Sequence, residues 1–286
     1  MIGRILALAL ARAAALAACG GPEEDWPPPS PALWEVSGPD GETGWLFGTI
    51  HALPEGVEWR TARLESALDG ADALVVEVAN LGEDGSGPRA FAAVSTSAGL
   101  PPMLQRVPAG DRRMVSEAIE QAGMDEDDFA ITETWAAALI IANRTTSGDS
   151  ANGVDRALLG RGLPVVGLEG FEGQFAIFDR LAEADQAELL RLTALDAARD
   201  DGVAQRAWLT GDLETLGREA LEGVLADPEL REALVAGRNE AWAARIAGLL
   251  EARRRPFVAV GTGHMIGEDG LPALLAARGY TVRRIQ

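Results

Sequence analysis

Four apolar runs of strand length, separated by long helical stretches, constrain the fold of this chain more than any other feature. The runs occupy residues 45–47, 73–78, 163–169 and 256–260. Their nearly continuous hydrophobic character is typical of strands buried in the sheet of an α/β protein. The alternation of such strands with helices predicts a central mixed sheet flanked by many helices, so the fold class is α/β or α+β.

Weaker sequence patterns predict the remaining strands and the helices. Residues 32–36 predict a strand that forms a hairpin with 45–47 across the turn at 37–41, and residues 281–285 predict a last strand. Helical spacing is found at 60–68, 111–122, 132–145, 153–161, 228–254 and 271–278, and over most of 170–216. The folded part is long enough for one large α/β domain or for a domain with a helical insertion after the run at 73–78.

The chain contains only two histidines, His51 and His264, and each closes a Gly-Thr-x-His tetrapeptide that follows an apolar run. The other motif residues are Gly48 and Thr49 in the first copy and Gly261 and Thr262 in the second. Histidine is the commonest metal ligand and the side chain best suited to proton transfer near neutral pH. The twin motifs therefore predict one active site built from two parts of the chain, although a strand-end histidine can also simply bind a loop carbonyl.

Two carboxylates, Glu77 and Glu169, lie near the ends of the other two apolar runs. Because ligands of α/β sheets bind outside the carboxyl ends of strands, we expect these groups to join the histidines. Two imidazoles and one or two carboxylates suit a Zn, Mn, Fe or Co ion, whose natural reaction is hydrolysis. The alternatives are an ion pair for Glu77 and a helix cap for Glu169.

Three further polar residues and two glycines are candidates for supporting roles. Arg238 and Asn239 lie within a predicted helix, where the arginine could anchor a carboxylate or the substrate, although a solvated helix face is the commoner arrangement. Asp155 is interpreted as a helix-start residue. Gly48 and Gly261 are expected to allow unusual backbone angles and close approach to a ligand. Residues 48–57 and 261–271 also resemble each other, which suggests two pseudo-repeated halves.

The N-terminal segment predicts the location of the protein. Residues 1–18 resemble a bacterial lipoprotein signal that is cleaved before Cys19, the only cysteine, whose thiol would then be lipidated. Residues 19–31 are rich in proline and predict a tether, so the folded domain is expected at 32–286. The expected location is the periplasmic side of the cell envelope, and Gly20 after the cysteine slightly favours the outer membrane. Such a tether also permits a homodimer.

The charge of the chain excludes one class of partner. The formal net charge is −19, and the sequence contains no lysine. General nucleic-acid binding requires clustered basic side chains, so no nucleic-acid partner is expected. The acidity favours solubility and could also attract a cationic metal or substrate.

An ordered set of short motifs resembles the TraB/GumN family. The matching residues are 33–36, 45–51, 53–54, 74–77, 153–155, 164–169, 238–239 and 260–264. That family is similar to the Tiki membrane-tethered metalloproteases, and it is grouped with erythromycin esterase and ChaN-like proteins. The resemblance implies His51, Glu77 and His264 as the catalytic or metal-binding core, with Arg238 and Asn239 in support. It also implies Mn or Co as the metal before Zn, and a peptide or small-molecule substrate.

Three functions are compatible with these observations. The favoured one is a lipid-anchored envelope hydrolase, most simply a metallopeptidase. The second is a metal-independent esterase-like hydrolase in which His51 acts as general base with Glu77 as its partner. The third is an envelope protein that binds a metal or haem without catalysis.

Overall fold

The computed structural model of the protein describes residues 25–79, 85–199 and 201–286. The predicted signal peptide, Cys19 and the first part of the predicted tether lie outside these ranges. Residues 25–31 lie against the helix at 201–210: the Ser30 amide donates to the carbonyl of Leu209 at 2.7 Å, and the Arg206 guanidinium covers the Trp26 ring at 4.4 Å. No helix in the described part of the chain is long and apolar enough to cross a membrane.

The centre of the molecule is a six-stranded mixed sheet with the order β4-β3-β5-β2-β1-β6. The strands are β1 (Leu33–Ser37), β2 (Thr43–Thr49), β3 (Ala73–Val78), β4 (Val165–Glu169), β5 (Pro256–Gly261) and β6 (Thr281–Arg284). Strands β4, β3, β5 and β2 are parallel, whereas β1 pairs antiparallel with β2 and with β6. The predicted α/β class, mixed sheet and hairpin are confirmed.

Helices surround the sheet and fill the connections between its strands. They are α1 (Ala62–Gly70), α2 (Ser86–Val94), α3 (Arg112–Gln121), α4 (Thr134–Thr145), α5 (Val154–Leu159), α6 (Phe171–Asp179), α7 (Glu183–Ala197), α8 (Asp201–Thr210), α9 (Leu213–Glu222), α10 (Pro228–Arg231), α11 (Gly237–Glu251) and α12 (Leu271–Ala277). A π-helical turn, Glu232–Ala236, joins α10 to α11. Helix α2 was not predicted, because its first turn contains Gly87 and Pro88, which are poor helix formers.

Alternate side chains of each strand pack on opposite faces of the sheet. One face carries Val75, Val258 and Leu46 beneath α11 and α12. The other face carries Leu74, Phe257 and Phe47 against α1, α5 and α8. Because side chains alternate along a strand, Glu77 follows Val75 onto the α11 face and Thr49 follows Phe47 onto the α5 face. This alternation decides which helix supplies the partners of each candidate residue.

A second hydrophobic core lies outside the sheet. It is formed mainly by α3, α4 and α7, with Trp135, Ile141 and Leu190 completely buried at its centre. Most of this core comes from α3 and α4, in the connection between β3 and β4, and from α7, which follows β4. The helical layer therefore has packing of its own and does not depend on the sheet for a hydrophobic face.

Candidate functional site

The carboxyl ends of the four parallel strands bring the two histidine motifs together. In the β2–β5 register Thr49 is opposite Gly261, and the Thr262 hydroxyl donates to the Thr49 carbonyl at 2.9 Å. The first histidine follows β2 directly, and the second lies in the 3₁₀ turn Thr262–Met265 after β5. The predicted assembly of both motifs at one sheet edge is therefore present.

Gly261 marks the point where the candidate groups converge. A Cβ atom at this position would lie 3.2 Å from Glu77 Oε1, 3.7 Å from His51 Nε2 and 3.9 Å from His264 Cδ2. A Cβ at Gly48 would lie 2.8 Å from the Thr262 hydroxyl oxygen. Neither glycine has a positive φ, so the expectation of unusual backbone angles is wrong. Both are glycines because neighbouring groups approach closely.

His51 is held by a carboxylate from α5. Its Nδ1 lies 2.8 Å from Asp155 Oδ2, and the Thr49 hydroxyl donates to Asp155 Oδ1 at 2.5 Å. The carboxylate accepts the Nδ1 proton, so Nε2 is the ring nitrogen that faces the cleft. The His51 side chain is 74% exposed, whereas Asp155 is buried. The interpretation of Asp155 as only a helix-start residue is wrong, because its side chain orients the histidine.

His264 is held by an amide from α11. The Asn239 side chain donates to the Asp269 carbonyl at 2.7 Å and to the His264 carbonyl at 3.3 Å, so its oxygen faces the ring. That oxygen lies 2.7 Å from His264 Nδ1 and accepts the Nδ1 proton. The ring is buried and packs on Trp242 with 4.4 Å between ring centroids. Both histidines therefore direct Nε2 away from a fixed Nδ1 partner.

Arg238 connects the two carboxylates. Its guanidinium donates twice to Glu169, at 2.9 Å each, and once to Glu77 Oε2 at 2.9 Å. Its NH1 group donates to the Leu234 carbonyl at 2.9 Å and lies 3.2 Å from His264 Nε2. Each of its five N–H donors thus has an acceptor. The alternative of a solvated helix face is wrong, because the Arg238 side chain is only 12% exposed.

The remaining contacts fix both carboxylates. Glu77 Oε1 accepts the Gly261 amide at 2.8 Å, and Glu169 Oε1 accepts the Trp242 indole N–H at 3.1 Å. The alternative role of Glu169 as a helix cap is wrong, because the N-cap residue of α6 is Gly170 and no side chain caps this helix. Buried charges require a partner of opposite sign, and a cluster of such paired ionisable groups is a candidate functional site.

The protonation states of the two histidines differ because their anchors differ. The hydrogen bond to Asp155 raises the pKa of His51 to about 9. Burial lowers the pKa of His264 to about 4, despite the neighbouring Glu77 carboxylate. Burial alone would raise the pKa of Glu77, but the charges of His264, Arg238 and His51 lower it below its ordinary value. The site therefore combines a basic exposed imidazole, a neutral buried one and an ionised carboxylate.

The donor groups fit a divalent metal in their chemistry. Metal-bound histidines usually donate their second ring N–H to a carboxylate or carbonyl, as both histidines do here to Asp155 and Asn239. In the described part of the chain, however, no three His, Cys, Asp or Glu side chains are arranged to hold an ion. Arg238 now binds Glu77 and lies next to His264 Nε2, the same atoms that an ion would use.

The comparison with protein families identifies the chain. A family model described as TraB/PrgY/gumN family matches residues 32–284. The chain belongs to this family. The family membership predicted from the order of the motifs is thereby confirmed over nearly the whole folded part. No curated protein and no solved structure gives a significant match to the chain.

The sequence interpretation found most of this site but not all of it. The fold brings together five predicted residues: His51, Glu77, Glu169, Arg238 and His264. The predicted supporting residues surround them: Asn239, Thr49, Thr262, Gly48 and Gly261. Asp155 was discounted, although its place in the ordered family motifs was a signal that could have marked it. Trp242 is not among the predicted residues, and nothing in its local pattern indicates a bond to Glu169.

Proposed function

We propose that this protein is a metal-dependent hydrolase, and specifically a peptidase, whose site is built from His51, Glu77 and His264. The observation that carries the proposal is the convergence of these three side chains around the space above Gly261. Both imidazoles have a fixed Nδ1 partner, which is the arrangement expected of metal ligands. Mn or Co is the proposed ion before Zn, on the basis of the family resemblance.

The two histidines and Glu77 would hold the ion by Nε2 and carboxylate oxygens. When bound, such an ion lowers the pKa of water and polarises a carbonyl group. Asp155 and Asn239 orient the rings, and the Gly261 amide fixes one oxygen of Glu77. Arg238 is proposed as a positioning residue for Glu77 and Glu169, because three of its N–H groups are held by these two carboxylates.

A second candidate is supported by the position of Arg238. Its guanidinium donates to both Glu77 and Glu169 and offsets one of their two negative charges without an ion. In a metal-independent hydrolase, His51 would act as general base in its deprotonated form, whose fraction grows as the pH rises towards 9. Its Nε2 would then take a proton from water while Asp155 stabilises the imidazolium. The carboxylate partner of His51 would then be Asp155 rather than Glu77, because Asp155 is the residue hydrogen-bonded to the ring.

One experiment separates these candidates. The full chain is incubated with a fluorogenic peptide library and with small esters before chelation, after chelation, and after addition of Mn, Co or Zn. The metallopeptidase predicts peptide cleavage that is lost on chelation, restored by one ion, and reduced about 100-fold or more by Glu77→Gln. Glu117→Gln is the matched control, since Glu117 forms only an exposed helix-surface pair with Arg113. Ester cleavage that survives chelation would favour the second candidate, and no turnover would contradict both.

We further propose that the protein is anchored to the cell envelope through a lipid on Cys19. The proposal rests on the sequence of residues 1–19, where a short apolar stretch leads to small residues before the cysteine. Mass spectrometry of the protein from bacterial membranes is expected to find a diacylglyceryl modification on Cys19. Wild type is expected in the membrane fraction, and the Cys19→Ser variant is expected outside it. Equal fractionation of the two would contradict it.

A further inference from the structure

The two edges of the sheet are protected very differently. Strand β6 has the sequence TVRR, and its exposed arginines bind Glu35 and the Gly211 carbonyl. Strand β4 has the sequence VVGLE, with no basic residue and no proline, and Val165 is 38% exposed. Natural sheets normally protect an edge with charges, proline or bulges, because a bare edge pairs with any extended chain. The β4 edge is less protected: its one charged residue is Glu169 at the end of the strand, and Arg245 from α11 binds the Gly167 and Leu168 carbonyls.

The backbone groups that β4 directs outwards follow from its register. The Leu74 amide donates to the Pro164 carbonyl at 2.9 Å, so residues 164, 166 and 168 face β3. Residues 165, 167 and 169 therefore direct their N–H and carbonyl groups to the open side. The Gly167 carbonyl already accepts Arg245 at 3.1 Å. Among the described residues, β4 pairs with no strand other than β3.

This edge leads directly to the candidate site. Strand β4 ends at Glu169, whose carboxylate is held by Arg238 together with that of Glu77 on the adjacent strand. A chain lying along β4 would thus run towards the carboxyl ends of the parallel strands, where ligands of such sheets bind. The same edge could in principle pair with a second copy of the protein, but only an extended substrate accounts for its continuity with the site.

We propose that the exposed edge of β4 binds an extended peptide by strand addition and guides it to the site at the strand ends. Main-chain hydrogen bonds to the outward N–H groups of residues 165, 167 and 169 and to the carbonyls of residues 165 and 169 supply the affinity, so recognition tolerates many sequences. This inference rests on the proposed peptidase function and defines its substrate as unfolded or extended polypeptide. Small esters and folded proteins without a free extended segment would not use the edge.

The test removes one outward N–H without touching the β3 ladder. Val165→Pro deletes the outward donor at residue 165, and a proline whose missing N–H faces solvent is tolerated on an edge strand. Val165→Thr is the matched control, because it keeps the N–H and a β-branched side chain. The probe is a fluorescein-labelled peptide, Lys-Val-Thr-Val-Thr-Val-Lys, and binding to the full chain is measured by anisotropy in the Glu77→Gln background, which prevents turnover. Circular dichroism checks that each variant is folded.

Binding is expected to be equal in the parent and the threonine variant and weaker by about fivefold or more in the proline variant. N-methylation of alternate residues removes the N–H groups along one edge of the extended peptide. The peptide should lose binding when the methylated positions are those that face β4, and keep it when they face away. Equal binding by folded parent and proline variants, or no binding to any variant, would overturn the proposal. So would a dimer seen by light scattering that Val165→Pro dissociates, because the edge would then belong to a second copy. Hydrolysis by wild type is measured separately, so failure of edge binding and failure of the peptidase proposal are distinguishable.

Discussion

At the scale of single residues, the two histidine motifs are alike in sequence but different in chemistry. A carboxylate holds His51 and an amide holds His264, and the second ring is buried whereas the first is not. A carboxylate favours the imidazolium form, whereas burial beside an amide favours the neutral form. One motif therefore supplies a basic ring and the other a permanent lone-pair donor, although both are Gly-Thr-x-His.

This difference predicts two well-separated titrations in the metal-free protein. In an NMR titration His51 is expected to titrate near pH 9 and His264 near pH 4, on either side of the ordinary value of 6.5. Only two histidines are present, so their signals are assigned by the His51→Ala variant. Asp155→Asn should lower the pKa of His51 and leave that of His264 unchanged. A single titration near 6.5 for both rings would contradict the described geometry.

The sign of the stability change follows from the same pKa values. The raised pKa of His51 stabilises the fold below about pH 6.5, and this contribution is lost as the pH rises towards 9. The lowered pKa of His264 gives the opposite dependence, with stability present above pH 6.5 and lost as the pH falls towards 4. The two windows meet near pH 6.5, where most of the His51 contribution is present and the loss due to His264 has only begun.

Substitution of Gly261 tests directly how closely the candidate groups pack around this residue. Gly261→Ala would place a methyl group 3.2 Å from Glu77 Oε1, in the space that the three candidate groups share. We expect it to destabilise the protein by about 1–2 kcal/mol and to weaken metal binding. Gly263→Ala, in the same turn, meets nothing within 4 Å and should be neutral or slightly stabilising. Urea denaturation measures both, and an equal effect of the two substitutions would contradict the packing described for Gly261.

At the scale of elements, each candidate residue depends on the helix that covers its face of the sheet. The start of α5 holds the loop after β2: the Val154 amide donates to the Ile50 carbonyl at 3.0 Å, and Asp155 binds the next residue, His51. On the other face, a π-helical turn precedes α11 and supplies the Leu234 carbonyl to Arg238. Such π turns occur frequently at functional sites, since they re-aim the side chains that follow.

The close approach of α5 predicts the effect of a single methyl group. A Cβ at Gly153 would lie 2.4 Å from the His51 carbonyl oxygen, so Gly153→Ala must displace either α5 or the loop after β2. We expect a loss of about 2 kcal/mol or more in unfolding free energy and a His51 pKa closer to 6.5. Gly160→Ala, at the other end of α5, meets only the Ala157 carbonyl at 3.6 Å and serves as the control. Unchanged stability of the Gly153 variant would refute this packing.

The sequence predicted the strands and the residues at their ends better than the partners of those residues. Apolar runs with a polar group at the end carry a local signal, so Glu77, Glu169 and both histidines could be found. The bond between Asp155 and His51 joins residues 104 positions apart, and no local pattern encodes such a contact. Arg238 was more often expected to face solvent, because a helix pattern does not show that a π turn and Trp242 bury it.

At the scale of the whole molecule, the site depends on the sheet, whereas much of the helical layer packs on itself. The core around Trp135 and Leu190 forms a hydrophobic cluster separate from the two clusters on the faces of the sheet. The candidate residues come from β2, β3, β4, β5, α5 and α11 and from the turn after β5. A substitution in the helical core should therefore change the stability of the protein without changing the geometry of the site.

This separation predicts a stability change without a change in the site. Ile141→Ala, in the helical core, is expected to cost about 2–5 kcal/mol because it leaves a cavity at a completely buried position. The metal content of the folded variant should remain that of wild type. Ile131→Ala is the matched control, since Ile131 is 58% exposed, and it should change stability by less than about 0.5 kcal/mol. Loss of metal at a temperature where the Ile141 variant is folded would contradict the separation.

Two motifs from distant parts of the chain are proposed to form one metal site with Glu77. The most direct measurement is metal content by mass spectrometry on the folded part, purified without chelator and loaded with Mn, Co or Zn. We expect near-stoichiometric metal in wild type and in Glu117→Gln, and its loss in His51→Ala, His264→Ala and Glu77→Gln. Folded wild type that binds no metal under any loading, or full metal content in either histidine variant, would contradict the shared site.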